Sequence, residues 1–238
     1  LADLLRALDE ITGLLRLRFI TSHPNFFRNR FWERVRGLRT FCPYVHVPAQ
    51  HGDDKVLKRM CRLYTTQQFR DMAAEAREAI PQIALASDWI VGFPGETEAE
   101  HEASKAFLRE IDFHQSFVFK YSPRPNTPSE RRLADDVPTE VKARRCTELL
   151  DIQTEISLGK NQAEVGNTLE ILVEGPSKTN AERLSGRTRQ NRVVIFDGPE
   201  RLVGKLVSVG IDYVSGHSLY GTLAESLAEP RKLPVCDR

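Results

Sequence analysis

The sequence predicts an α/β fold: a partial (β/α) barrel, the second half of one, followed by a small antiparallel β-barrel. Three observations carry this. The first two thirds of the 238 residues repeat short apolar strands, polar loops and amphipathic helices, the alternation expected of parallel strands joined by crossover helices. A long helical stretch from about 138 to about 163 follows. From Thr168 onward the signals are short strands separated by Gly, Pro, Asn and Asp, as in a small barrel. The expected domains are 1–165 (the partial barrel with its long helix), 166–228 (the small barrel) and a loose tail at 229–238.

Taken in order, Leu4, Leu5, Leu8, Ile11 and Leu15 recur at helical spacing, so the chain is expected to open on a helix with that stripe buried. Residues 17–20 read as a strand ending in the polar loop Thr21, Ser22, His23, Pro24, and residues 27–38 as a helix. Residues 44–47 alternate like a strand and run into the loop 48–53, after which helical pattern resumes through Met60. Thr65 with Gln68 has capping-box spacing ahead of the apolar face Phe69, Met72, Ala73, Ala76 and Ile80, and Pro81 stops that helix. Residues 83–93 form the strongest strand signal. They give way to Pro94, Gly95 and Glu96 and to a helix capped by Thr97 with Glu100, whose apolar face is Ala103, Phe107, Leu108 and Ile111. One more strand, 116–121, precedes a loop holding Pro123, Pro125 and Pro128. In the C-terminal part, strands are expected at 169–173, 193–196, 202–209 and 219–223.

Composition excludes several function classes. Lys plus Arg number 34 against 33 Asp plus Glu, a formal charge of +1, so a nucleic-acid surface has to come from uneven distribution. Apolar runs such as 83–86 and 89–91 fall far short of the ~18 residues of a membrane span, and no membrane partner is expected. Asp3, Asp9 and Glu10 interrupt the opening leucines, unlike a signal peptide. Cysteines 42, 61, 146 and 236 make no CxxC pair, no zinc spacing and no dense disulfide framework, which points to a reducing cytoplasm. No HExxH-type pair is present, and no metal site is expected.

In a parallel barrel the loops after the strands share one face and build the site. Here those loops hold Ser22 and His23, then Gln50, His51 and Asp53, then Asp88, Gly92, Gly95 and Glu96, then Ser122, Arg124 and Asn126. Gly92 and Gly95 let backbone approach a flat ligand closely, and the helix start at Thr97 adds a dipole and free amides. These local features fit a ligand with a ring and an anionic group, or an ordinary tight turn. His46, inside a strand, is expected as a packed or barrel-facing residue. In the C-terminal unit Arg183, Arg187, Arg189 and Arg192 fall within the acid-free stretch 183–192. That is either a solvated loop or a phosphate-binding surface for RNA, and the near-neutral remainder favours nucleic acid.

These residues resemble the radical S-adenosylmethionine methylthiotransferases. The matching segments are RFITSHP at 18–24, HVPAQHGDDKVLKRM at 46–60, SDWIVGFPGETEAE at 87–100, FKYSPRPNTP at 119–128 and LSGRTRQNRVVIFDG at 184–198, in the family's order. The resemblance implies a partial radical-SAM barrel followed by a TRAM domain, a small RNA-binding β-barrel. It implies a tRNA-modifying transferase that adds a methylthio group to carbon 2 of isopentenyladenosine next to the anticodon, with tRNA (anticodon loop) as partner. Its cofactors are S-adenosylmethionine and two 4Fe-4S clusters, one cleaving S-adenosylmethionine to a 5′-deoxyadenosyl radical and the other handling sulfur. A ring C–H has no useful acidity, so a cofactor-derived radical suits the task better than acid–base groups.

By position in the matching motifs, Gln50, Ile90, Gly92, Glu96 and Arg124 look like the S-adenosylmethionine pocket, and Arg187, Arg189, Asn191 and Arg192 like RNA contacts. The stretch SGRTRQNRVV looks more like the isopentenyladenosine branch than like relatives acting on threonylcarbamoyladenosine or on a ribosomal protein. The family's CxxxCxxC, whose three thiolates leave one iron open for the cofactor, is missing from this sequence. The chain is therefore expected to be the C-terminal part of a longer enzyme, inactive alone, with cluster ligands outside it; the sulfur donor stays open. His51 stands where the family usually has Ser, Cys61 where it has Asn and Asn126 where it has Gly. The rival readings are a noncatalytic TRAM-type RNA-binding remnant and an ordinary (β/α) barrel enzyme with a phosphate-bearing substrate, which the absence of eight βα units disfavours.

Overall fold

The computed structural model describes residues 1–20, 23–27 and 30–224. The expected loop residues Thr21 and Ser22, the positions 28–29 of the expected helix, Cys236 and the tail at 229–238 lie outside the described residues. In chain order the helices are α1 (Ala2–Asp9), α2 (Phe31–Val35), α3 (Asp54–Arg59), α4 (Thr66–Ala79), α5 (Glu98–Ile111), α6 (Pro128–Arg132) and α7 (Thr139–Gln162). The strands are β1 (Tyr44–His46), β2 (Ala84–Val91), β3 (Gln115–Lys120), β4 (Thr168–Pro176), β5 (Leu184–Arg187), β6 (Val193–Phe196), β7 (Leu206–Val214) and β8 (Ser218–Leu223). They fall into two compact units: Phe19–Arg36 with Tyr44–Ser157, and Leu1–Arg18 with Gly37–Pro43 and the chain from Leu158.

The first unit is built on a parallel sheet in the order β1-β2-β3. Its helices start where local chemistry starts them. The Thr65 hydroxyl accepts from the Gln68 amide while the Gln68 side chain accepts from the Thr65 amide, and Thr97 and Glu100 repeat the arrangement at α5. Asp53 caps α3 by accepting from the amides of Lys55 and Val56. Because side chains alternate across a strand, β2 sends Leu85, Ser87, Trp89 and Val91 to one side and Ala84, Ala86, Asp88 and Ile90 to the other. Trp89 is wholly buried, edge-on to Phe113 at 5.7 Å and to Phe107 at 6.1 Å, and its indole N–H donates to Ser116 Oγ at 3.1 Å. On the opposite face Ala84 and Ala86 pack with Tyr44. His46 takes its expected packed place, its ring parallel to Phe117 at 5.8 Å and its Nε2 3.2 Å from Asp88 Oδ2.

In the second unit β4-β5-β6-β8-β7 closes into a barrel around Ile171, Val173, Val194, Phe196, Val209, Ile211 and Leu219. Every pairing is antiparallel except β6 with β8, which is parallel. Closure needs Gly221, because a Cβ there would collide with the Gly210 carbonyl oxygen.

Several expected elements differ. α1 stops at Asp9, whose carboxylate leaves the helix to accept from Thr40 and Arg39, and of the leucine stripe Leu4 and Ile11 are exposed. The strand expected at 17–20 is reduced to a single parallel bridge, Leu17 with Phe41. Among the described residues the helix expected at 27–38 is only α2, since Pro24–Phe26 forms a 3-10 turn and Arg30 is left-handed at φ 58°. The strand expected at 202–209 begins four residues late because Glu200–Leu202 makes a 3-10 turn and Gly204 has φ +78°. β5 was not expected at all: LSGR lacks the apolar alternation by which a strand is read.

Candidate cofactor pocket and nucleic-acid interface

At the carboxyl ends of β2 and β3, where parallel sheets gather their sites, a cavity of about 520 Å³ opens. Gln50, Asp88, Ile90, Phe93, Phe119 and Arg124 are among its walls, with Arg62 and Lys120 adding positive charge. Three of the five sequence-assigned pocket residues, Gln50, Ile90 and Arg124, thus meet around one cavity. Gln50 is pinned beside β2: its amide donates to the Asp88 carbonyl, the Ile90 amide donates to the Gln50 carbonyl, and Gln50 itself is left-handed at φ 65°. Its side-chain oxygen accepts from the Arg62 guanidinium at 2.7 Å.

Gly92 and Glu96, the other two, are not among the residues lining this cavity and are hydrogen-bonded to each other. Glu96 is only 5% exposed. Its Oε2 accepts from the Gly92 amide and lies 3.2 Å from Arg145 Nη1, and its Oε1 lies 3.1 Å from His51 Nε2. His51 Nδ1 accepts from the Asp53 amide at 3.0 Å, which leaves Nε2 as the ring nitrogen carrying the proton toward Glu96. His51 therefore ties the N-cap of α3 to the turn after β2, and Glu96 holds that turn from behind the cavity wall. Gly92 has φ +69°, and a Cβ there would strike the Lys142 side chain, so both backbone and space demand glycine. Lys142 in turn pairs with Asp135, donates to the Tyr121 carbonyl and lies 5.3 Å over the Tyr121 ring.

A second histidine backs this network. His101 Nε2 is 2.9 Å from Glu148 Oε2, with Glu96 Oε1 3.8 Å from its Nδ1. Burial pushes its pKa down, against the pull of Glu148 and Glu96. Glu98 is held down to about 2 by hydrogen bonds from Arg144 and Arg145, and Glu100 to about 2 chiefly by Arg59. Lys142 and Arg145 lie in no motif that singles them out in the sequence. The available signal was the helical series 142, 145, 149, 152, in which buried Leu149 and Ile152 continue a stripe begun by two buried cations.

S-adenosylmethionine fits this donor set: apolar Ile90, Phe93 and Phe119 for a ring, and Gln50, Arg62 and Arg124 for a carboxylate. An iron–sulfur cluster does not fit the described residues. Among them Cys42 is buried, Cys61 exposed and Cys146 half-buried. The one group of three or more potential metal ligands among them is Glu98, Glu102 and Glu148, carboxylates already paired with Arg144 and Lys105.

In the barrel unit three arginines of the acid-free stretch pair with acids from elsewhere in the chain. Arg183 pairs with Asp197, Arg187 with Glu174 and Arg192 with Glu164. Arg189 donates to the carbonyls of Arg39 and Phe41. Asn191, left-handed at φ 70°, turns the chain between β5 and β6, and Arg187 donates to its carbonyl and side-chain oxygens. Arg16 and Arg18 donate to the carbonyls of Arg187 and Thr188, so that a spatial cluster of basic groups surrounds this turn.

Residues 1–108 match the radical SAM superfamily and residues 162–224 the TRAM domain. Curated relatives named tRNA-2-methylthio-N(6)-dimethylallyladenosine synthase include that of Desulfitobacterium hafniense, 41% identical over 92% of this chain and 49% of its own. That of Rhodopirellula baltica is 43% identical over 93% of this chain and 48% of its own. That of Syntrophobacter fumaroxidans is 43% identical over 97% and 50%. The chain spans about half the length of the curated relatives it matches. Among solved structures, coproporphyrinogen III oxidase from Escherichia coli, titled a radical SAM enzyme, aligns with TM-score 0.49 and 15% identity over 70% of this chain and 45% of its own. No helix among the described residues is long and apolar enough to cross a membrane. With radical SAM sequence leading into a TRAM domain, and methylthiotransferase relatives matching along both, the chain belongs to the radical SAM methylthiotransferase family.

Proposed function

We propose that this chain supplies the S-adenosylmethionine-binding and RNA-binding portions of a tRNA methylthiotransferase acting at carbon 2 of isopentenyladenosine beside the anticodon. The observation that carries the reading is the convergence of Gln50, Ile90 and Arg124 on one cavity at the carboxyl ends of β2 and β3. Residues 1–165 serve the cofactor and residues 166–228 serve RNA. Ile90 and Phe93 form the apolar wall for the adenine ring; Arg124 and Arg62 face the carboxylate; Gln50 sets the distance between them. Glu96 and His51 are positioning residues, holding the turn that follows β2. S-adenosylmethionine supplies the radical chemistry that an unactivated ring C–H requires. The anticodon loop meets Arg187, Arg189, Asn191 and Arg192, and the carboxylates and carbonyls that now partner the arginines can be replaced by phosphate oxygens.

The test is isothermal titration of S-adenosylmethionine into the chain. Wild type is expected to bind, and Arg124→Ala to bind roughly tenfold more weakly, the loss of one charge-assisted hydrogen bond. No heat from the wild type, or equal affinity in the variant, rejects the pocket. Incubation with iron and sulfide is expected to give neither a cluster spectrum nor 5′-deoxyadenosine, and obtaining both would show that the chain holds a complete radical site. A noncatalytic RNA-binding role is the second reading, favoured by the scattered cysteines among the described residues. It is distinguished by RNA affinity without S-adenosylmethionine heat.

A further inference from the structure

The outer face of the barrel carries an aromatic pair that neither core nor cofactor pocket accounts for. In β7, Val207, Val209 and Ile211 point inward. By strict alternation Tyr213 would follow them into the barrel. It does not, because the register between β7 and β8 slips there: Ile211 pairs with Gly221 but Tyr213 with Tyr220, leaving Asp212 as the extra residue of a bulge. The bulge is held by the Thr222 hydroxyl, which donates to Asp212 Oδ2 at 2.7 Å. After it, Val214 packs against the core and Tyr213 faces out. Bulges of this kind re-aim side chains.

The re-aimed ring lies flat on Tyr220, with centroids 4.6 Å apart and planes within 3°. Tyr213 remains 54% exposed. Arg183 lies 5.8 Å over the Tyr220 ring and is paired with Asp197. Its hydrogen bond to Tyr213, then Asp197, raises its pKa. Through the pairings of Ile195 with both Tyr220 and Ser185, the stack occupies the row of Ser185 in β5, two residues beyond Arg183. Arg187 follows two residues along the same outer face of β5, opposite Val193.

We propose that the Tyr213–Tyr220 stack is a platform for one unpaired RNA base, set beside the basic turn that meets the phosphates. The inference rests on the RNA-binding reading above and adds to it the place and the nature of the base contact. Stacking on an exposed aromatic ring is sequence-tolerant and contributes strongly to single-strand affinity. The charge around the stack matches a base better than a phosphate, because Asp197 already neutralises Arg183 and Asp212 lies beside Tyr213. A protein partner would meet an apolar face here, whereas the rim is Arg183, Asp197, Asp212 and Thr222. The π-face of a base tolerates such a rim and can direct its amino groups to the Asp197 carboxylate.

The experiment measures binding of a short oligoadenylate, and of a hairpin duplex of the same length, to the 238-residue chain at several salt concentrations. Tyr213→Ala and Tyr213→Leu are expected to weaken oligoadenylate binding about ten- to a hundredfold with an unchanged salt slope, since no phosphate contact is lost. Tyr213→Phe, which keeps the ring, is expected to bind like wild type. Tyr213→Leu also keeps apolar cover over Tyr220, and an unaltered melting temperature in that variant separates stacking from folding. Wild-type binding that survives Tyr213→Leu, or equal affinity for the duplex, overturns the platform while leaving the RNA reading intact. Failure of the wild type to bind either RNA overturns both.

Discussion

The turn at 92–96 and the arginine turn at 187–192 stand out in the sequence for the same reason, charged and glycine residues packed into a loop, yet the two use their charge in opposite ways. In the first, one buried carboxylate collects donors: the Gly92 amide, His51 and Arg145 all meet Glu96. In the second, several guanidiniums collect acceptors, and the Arg187 and Glu174 side chains of one such pair are 35% and 45% exposed. Exposed pairs contribute about 0–1 kcal/mol and exchange readily. Breaking a buried one costs ~3–5 kcal/mol, because it strands a charge out of water. The first turn is therefore braced from within, whereas the Arg187–Glu174 pair of the second stays exchangeable.

The largest effect that would sharpen this contrast is Glu96→Ala, which leaves Arg145, His51 and the Gly92 amide without their shared acceptor. It is expected to lower unfolding stability by ~3–5 kcal/mol in urea, and a loss below about 1 kcal/mol would break the comparison. Gly92→Ala comes next: a left-handed φ and a collision with Lys142 predict a loss of roughly 1–3 kcal/mol together with weakened S-adenosylmethionine binding. His51→Ala, removing one buried donor, should cost about 1–3 kcal/mol.

The pH dependence follows from His101. Its folded pKa lies below the ordinary 6.5 because burial disfavours the imidazolium. Below 6.5 the unfolded chain takes up the proton first, so stability is full above that pH and falls as pH drops toward the folded pKa. Glu100, lowered from 4.5 to about 2, adds a further loss between those values. Urea midpoints across this range are expected to fall with acidity, and His101→Gln should flatten the upper part of the profile. Arg187→Ala stands last. It should change stability by no more than about 1 kcal/mol while lowering the salt slope of tRNA binding by about one. A large stability loss with an unaltered slope would make the second turn scaffold as well.

Much of the parallel unit was legible because its signals are local. Thr65 with Gln68, Thr97 with Glu100, and the run that becomes β2 each specify an element within a few residues, and the structure places them accordingly. β5 was illegible because SGR is a strand by virtue of its neighbours: β4 and β6 pair it on both sides, and Gly186 lets the β4 backbone come close. Gln50, Ile90 and Arg124 were legible by motif. Arg62, which donates to Gln50, and Lys142 and Arg145, which pair with Asp135 and Glu96, were not, since such pairings depend on how a loop and a later helix pack.

By itself the sequence determined the alternation of elements, their caps, the positions of the loop residues and the family resemblance, all of which depend on neighbours within a turn or a strand. Only the tertiary structure decided what those residues face. It brought Gly92, His51 and Arg145 onto Glu96, gave the acid-free arginines Glu164, Glu174 and Asp197 as partners, and moved Tyr213 from core to surface through one bulged residue. The physical reason is that charge compensation and strand register are properties of groups brought together across the fold, and pairing between distant strands is not encoded in either strand alone.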